Sequence, residues 1–473
     1  KGMIRRVITI TSVHDFKRVS TLLDSSMGDL TWFIAISRNE GEGGGMPPIA
    51  SSEPLLGYCW NQIMLLYRGN EDDQEEAVTS LNGYAKNNER FMNIMMEEEA
   101  VQPLLKVLQE GNPNAREIAA RTLGYIARDE TTVKQMVSYG LAPVFVKVLS
   151  NAPMKVQVAV AWAMAQVLDV DSEQQGLFLE HLVVRPLVAL LGESLDEPEK
   201  EKVPMSMTSL VNKMATISND KVLDQDDPPP LPHHVQKPSV NAPYARPPAA
   251  RPTHANGFGV TGGKHNNENV KGLTQRELNR RVREAEDPKV KAELKAEVAR
   301  AISKLAKHNA KACTSITETK ALLCFAALME KEIGNVQLNS TIAVMEIMAV
   351  AEEDVDLRRK GIRMTSPAMK AVVDQLLRLV RDGRPELQVV AIRAVGCLSR
   401  TFTVRETRVV GPLVKQLEGA SDDIIAEAVK ALTKFACKEN FLHREHSKAI
   451  VQAGGAGPLV QMIFFSRGEV LID

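Results

Sequence analysis

Apolar positions along this chain recur at helical spacing, in pairs of neighbouring segments. In "VQPLLKVLQEGNPNAREIAARTLGYIARD", residues 101–129, Val101, Leu104, Leu105 and Leu108 share one face, and Pro103 falls in a first turn, where its missing N–H costs least. Gly111, Asn112 and Pro113 stop that helix, and Ile118, Ala119, Leu123, Ile126 and Ala127 lay an apolar stripe along a second, longer one. Neither helix buries its stripe alone. The pattern returns at "LAPVFVKVLSNAPMKVQVAVAWAMAQVLDV", with Pro143 forty residues after Pro103, and starts again at "VVRPLVALL", with Pro186 forty-three further on. Near the other end, "VVGPLVKQLEGASDDIIAEAVKALTKFACKE" carries Pro412, and "AGGAGPLVQMI" carries Pro458 forty-six later.

Helical units at a period of forty to forty-seven residues mark armadillo and HEAT arrays. The segments "TTVKQMVSYG" and "HSKAIVQAGG" precede two of the Pro-containing helices and end in glycine, which adds a third, short helix to the unit. Three helices favour armadillo over the two-helix HEAT unit. The expected fold is therefore all-α: a right-handed armadillo-repeat superhelix with a small N-terminal helical domain.

Four parts follow. Residues 1–68 lack the period and read as the remnant of a helical domain whose beginning is cut away; residues 69–217 hold a first array, whose fourth repeat degrades through "MSMTSLVNKMATIS". Between 218 and 271, nine prolines from Pro228 to Pro252 and few aliphatic residues leave too little apolar surface for a core, so a disordered, Pro-rich insertion is expected. Residues 272–473 begin with the charged helix "GLTQRELNRRVREAEDPKVKAELKAEVARAISKLAKHNAK" and continue through divergent and then regular repeats. They end at "SRGEVLID" without a polar closing repeat, which reads as a truncated terminus.

Composition adds two constraints. A net charge of −1 gives no overall attraction to nucleic acid, so none is expected as a partner. Cys59, Cys313, Cys324, Cys397 and Cys437 form no C-x-x-C pair and read as buried, reduced thiols; the longest apolar run, "ALLCFAALM", is too short to span a bilayer.

Chemistry-bearing motifs are absent. "GFGVTGGKH" has Phe258 where a phosphate loop needs its first glycine and His265 where it needs a hydroxyl, and "GEGGG" at residues 41–45 reads as a surface loop. His443 and His446 in "HREH" lack a third metal ligand and are expected on a charged helix face; His233 and His234 lie in the Pro-rich tract. No G-x-S-x-G and no cysteine beside a base is present, so no catalytic residue, cofactor or metal is expected, and the chain reads as a non-enzyme.

A surface remains. Aligning the long helices on their "A-x-x-L-x-x-L/I/F-A" core puts Thr79, Arg121, Trp162, Arg393 and Lys430 in one row of a concave groove, and Gly83, Tyr125, Gln166, Cys397 and Lys434 in the next. The candidate partner-binding residues are Arg121, Tyr125, Trp162, Gln166, Arg393, Lys430 and Lys434. Nuclear import adaptors of the armadillo class carry Trp in the first row and Asn in the second; one Trp and no Asn here argue against that role. Residues 71–100 carry nine acidic and two basic side chains, and residues 358–384 carry two and eight, so the array is acidic early and basic late. The basic half suits an acidic partner or anionic lipid, and "PPPLP" with "ARPPAARP" fits SH3 or WW recognition.

The stretches "RRVITITSVHDFKRVSTLLDSSMGDLTWF", "PPIAS", "APMKVQVAVAWAMA" and "VVRPLVALL" resemble the plant Armadillo Repeat Only proteins, most strongly over residues 1–195. The resemblance implies a non-enzymatic scaffold for polarised cell growth, with regulators of Rho-type plant GTPases and cytoskeletal proteins as partners and no residue-level site motif. The implied location is cytoplasmic, with plasma-membrane or nuclear association. The alternatives are a ubiquitin ligase whose U-box would stand between the N-terminal domain and the array, where only about ten residues are available, and a catenin-like or import adaptor.

Overall fold

The computed structural model describes residues 54–192, 287–403, 406–418 and 421–465. All regular secondary structure among them is helical. The chain divides into two compact units, residues 1–196 with 285–473 and residues 197–284, and the helices that follow all belong to the first.

The first pair is α1 (Pro54–Arg68) and α2 (Glu71–Ala85). Three-helix units then begin: α3 (Glu89–Glu97), α4 (Val101–Glu110) and α5 (Pro113–Ile126), followed by α6 (Glu130–Ser138), α7 (Leu141–Asn151) and α8 (Met154–Val170). The fourth unit is α9 (Gln175–Glu180), α10 (Val184–Gly192) and α11 (Pro288–Ala306); the fifth is α12 (Ala310–Thr317), α13 (Ala321–Lys331) and α14 (Gly334–Glu353). The sixth is α15 (Val355–Lys360), α16 (Pro367–Asp382) and α17 (Pro385–Cys397). The seventh shows α18 (Val410–Lys415) and α19 (Asp422–Ala436), and α20 (His443–Gln452) with α21 (Ala456–Phe465) open an eighth.

Local chemistry sets each joint of the unit. Asn88, Asp129, Asn309 and Asp354 cap the short first helices, each side chain accepting from the backbone N–H three residues on. Between first and second helices the chain turns through a left-handed residue: Glu99 (φ 56°), Gly140 (φ 87°), Leu182 (φ 58°) and Gly454 (φ 87°). Between second and long helices, a side chain eight residues downstream returns to a C-terminal carbonyl of the second helix. Gln74, Arg116, Gln157, Gln337 and Gln388 do this to Leu66, Leu108, Leu149, Met329 and Val380, at 3.3, 2.9, 2.8, 2.8 and 3.1 Å. This bond identifies α1 as a second helix and α2 as its long partner. Residues 54–68 therefore belong to the array, and the boundary expected at residue 68 moves to before Pro54.

Packing explains the curvature. Fully buried Ala119, Ala120, Ala159, Ala161, Ala163, Ala299, Ala301 and Ala343 give the long helices small faces, so successive long helices approach more closely than successive second helices. The stack bends toward the long-helix side, which becomes concave. This unit has the armadillo-repeat fold.

The fourth repeat departs from the sequence reading. Its long helix is α11, drawn from the charged segment taken above as a separate leading helix, and not from the decaying stretch after residue 192. It packs between α8 and α14, with Lys304 Nζ 2.5 Å from Asp169 Oδ1 and Asn309 Nδ2 donating to Gln175 Oε1 at 2.9 Å. The insertion therefore interrupts one repeat between its second and long helices, and the repeats on either side stack without a break. Residues 1–53, 193–286 and 466–473 lie outside the described residues, and with them the N-terminal remnant, the Pro-rich tract, both Gly-rich loops, His233, His234 and the terminal "SRGEVLID".

The cysteines are free; Cys59, Cys313, Cys324 and Cys397 are buried, and burial pushes Cys59, Cys313 and Cys397 up to about 12. His446 is not on a charged face. It is buried against Phe435, ring centroids 5.0 Å apart, and its Nδ1 lies 3.4 Å from Asn440 Nδ2. No group of three potential metal ligands occurs among the described residues. No single described helix is long and apolar enough to cross a membrane.

Candidate functional site

The concave face is a ladder of side chains, one rung per long helix. On α5, α8, α11 and α14 burial falls in one register: two enclosed positions, one open to the groove, three enclosed, one open; α17 opens at Arg393 but buries Cys397, and α2 and α19 do not keep the register. Arg121, Trp162 and Arg393 stand at the first open position, as do Arg300 and Ile342, and Lys430 is exposed on α19. At the second open position stand Tyr125, Gln166, Lys304 and Glu346; Cys397 fills the equivalent place on α17 but is buried, and Lys434 is half-buried on α19. Both additions on α11 were missed because charge masked the helix; "ARAISKLA", residues 299–306, carries an A-x-x-I-x-x-L-A core matching the A-x-x-L-x-x-I-A of α5, residues 120–127.

At repeats two to four, Tyr125 and Trp162 meet edge to face, with ring centroids 5.1 Å apart. The indole lies over Gly124, where an added Cβ would come within 2.3 Å of its Cζ3. Glycine is required there by close approach. Arg121 pairs with Glu117 at 3.3 Å and reaches over α8 to Glu293 of α11 at 3.6 Å. Arg300 donates to Gln166 Oε1 at 3.3 Å and pairs with Glu297 at 3.4 Å. Burial raises the Glu297 carboxyl despite the nearby guanidiniums of Arg300 and Arg121.

At repeats five to seven, Arg393, Lys430 and Lys434 line a cavity of ≈ 290 Å³ with Gly396, Glu427 and Ala431. Glu427 Oε1 and Oε2 take Arg393 Nη2 and Nε at 2.8 and 3.2 Å, and Lys430 Nζ is 4.0 Å from Glu427 Oε1. Hydrogen bonding from Arg393 holds the Glu427 carboxyl below its usual range. Lys434 Nζ is 2.6 Å from Glu352 Oε2, which reaches it from α14 across the intervening long helix, and 3.6 Å from Cys397 Sγ. The three cations come together as expected, but each stands beside a carboxylate, so the late half of the groove is less bare than the charge count along the sequence implies. Surface pairs of this kind contribute about 0–1 kcal/mol each, more where bidentate.

Residues 1–38 match a family model described as "Domain of unknown function (DUF7792)". No curated protein matches the chain. Among solved structures, an engineered protein is similar at 19% identity over 88% of this chain and 86% of its own, with a TM-score of 0.47. A designed armadillo repeat protein in complex with the peptide (KR)4 shares 15% identity over 71% of this chain and 98% of its own, TM-score 0.45. Computationally designed armadillo repeat proteins for modular peptide recognition share 15% over 71% and 99%, TM-score 0.44.

Proposed function

We propose that this protein is a non-enzymatic interaction scaffold that holds extended segments or helices of partner proteins along its concave long-helix face. One observation carries the reading: the first groove row continues across the insertion from α5 to α17, and with the second row and α19 it presents aromatic, guanidinium and ammonium groups along the packed long helices. A rigid ladder of this kind suits recognition by a chain with side chains at regular spacing.

The resemblance to plant Armadillo Repeat Only proteins supports a finer reading. The scaffold would serve polarised cell growth, at the cytoplasm or the plasma membrane, with regulators of Rho-type GTPases and cytoskeletal proteins as partners.

The test is affinity purification from plant extract with the wild-type chain, an Arg121→Glu/Arg300→Glu groove variant, and a Leu323→Glu variant on the second-helix face, where Leu323 is exposed. Circular dichroism first establishes that all three fold. The reading expects GTPase regulators or cytoskeletal proteins to be lost from the groove variant and kept by the other. Equal recovery with all three contradicts it.

A further inference from the structure

The cavity between α17 and α19 already holds a carboxylate, and this points to its ligand. Of its four charged lining side chains, three are cations, Arg393, Lys430 and Lys434, and one is Glu427. Glu427 is the most enclosed, with its side chain 14% exposed, whereas the Arg393 and Lys430 side chains are 46% and 49% exposed. The carboxylate thus forms the floor and the cations form the rim. Glu427 engages only the Nε/Nη2 edge of Arg393, and a guanidinium has a second edge that can chelate another carboxylate. Glu352 lies outside the lining and steadies Lys434 from α14.

We infer that this cavity is the part of the groove that receives an acidic side chain, Asp or Glu, of a partner peptide, bound on the rim of Arg393 and Lys430 above the protein's own Glu427. The inference rests on the groove reading and gives it a ligand chemistry. Glu427 has two effects: it fixes the orientation of Arg393, and it repels the incoming carboxylate. Its removal as a charge therefore strengthens binding, whereas loss of a rim cation weakens it. A groove in which the cations were only solvated would show neither change.

The experiment uses the full chain and a fluorescein-labelled peptide of about twelve residues repeating Gly, Glu, Ala, Glu, with a twin in which Lys replaces Glu, read by fluorescence anisotropy at 50 and 300 mM NaCl. The site expects the acidic peptide to bind and the basic twin to fail. Glu427→Gln, which keeps a hydrogen-bond acceptor for Arg393, tightens acidic binding about three- to tenfold; Arg393→Gln and Lys430→Gln each weaken it about tenfold or less, with all differences shrinking at the higher salt. Thermal melts confirm that the variants are folded. Failure of the acidic peptide to bind, or a Glu427→Gln variant that binds no tighter, overturns the inference. Acidic binding that ignores these three variants but falls with Arg121→Gln also overturns it, while leaving the groove reading intact. A fourth arm uses vesicles of phosphatidylcholine with about one-fifth phosphatidylserine; variant-dependent binding to vesicles without binding to the peptide assigns the cations to lipid and overturns the peptide site.

Discussion

Single residues carry strain and charge that the repeat pattern does not announce. Gly124 exists to admit the indole of Trp162, so Gly124→Ala should displace the ring. Overpacking of about 1–3 kcal/mol outweighs the gain of about 1 kcal/mol in helix propensity, and a lower melting temperature with altered tryptophan fluorescence is the expected result. His446 is a second case. Burial lowers its pKa from 6.5, against a backbone hydrogen bond at Phe435 and the charge of Glu445, which act in the other direction. The unfolded chain therefore binds the proton more readily than the folded one, so this residue's stabilising contribution is full above pH 6.5 and is lost as the pH falls through the lower folded value. Thermal melts between pH 7.5 and 5 should show the last repeats loosening first, and His446→Leu should flatten that dependence. Glu99 and Leu182 occupy the left-handed position that Gly140 and Gly454 fill elsewhere. Without glycine, those two turns were not visible in the sequence.

At the scale of elements, the recurring bond from the long helix back to the second helix defines the repeat more reliably than proline or glycine does. It spans eight residues in five repeats. Gln157→Ala should cost about 1–3 kcal/mol, because it leaves the Leu149 carbonyl buried without a donor. Denaturant unfolding measures this, and an unchanged midpoint would mean that water replaces the side chain. Much of the element order was legible in the sequence: α4, α5, α7, α8 and α10 follow from apolar spacing and Pro signatures, and so do α18 to α21. The charged segment that forms α11 was legible as a helix but not as the missing half of the fourth repeat. Lys and Arg at its groove positions resemble a solvated surface, and nearly a hundred residues separate it from α10. Ion pairs such as Arg121 with Glu293 and Lys434 with Glu352 were hidden for a similar reason, since each reaches over an intervening long helix to a residue far away in the chain.

The whole array behaves as one stack whose middle repeat tolerates a long insertion. In the neighbouring repeats only two residues join second helix to long helix, Ala152 and Pro153 or Glu332 and Ile333, and α10 likewise packs directly on α11. Deleting residues 197–284 should therefore leave the helical content and the cooperative melt of the array unchanged to within a few degrees, because loop-closure entropy depends only weakly on length. Two separated melting transitions would show instead that the repeats before and after the insertion fold apart. A continuous stack also makes the groove continuous, joining the Tyr125–Trp162 pair to the cation-lined cavity of repeats six and seven along one face.

Site-specific photocrosslinking in cells that express the protein tests that face as the working surface most directly. A photoreactive amino acid is placed at Arg300, on the concave row, or at Leu323, on the second-helix face, and crosslinked proteins are identified by mass spectrometry. The scaffold account predicts specific partner adducts from position 300 that are absent from position 323. Adducts from position 323 alone would contradict it and move the binding surface to the convex side.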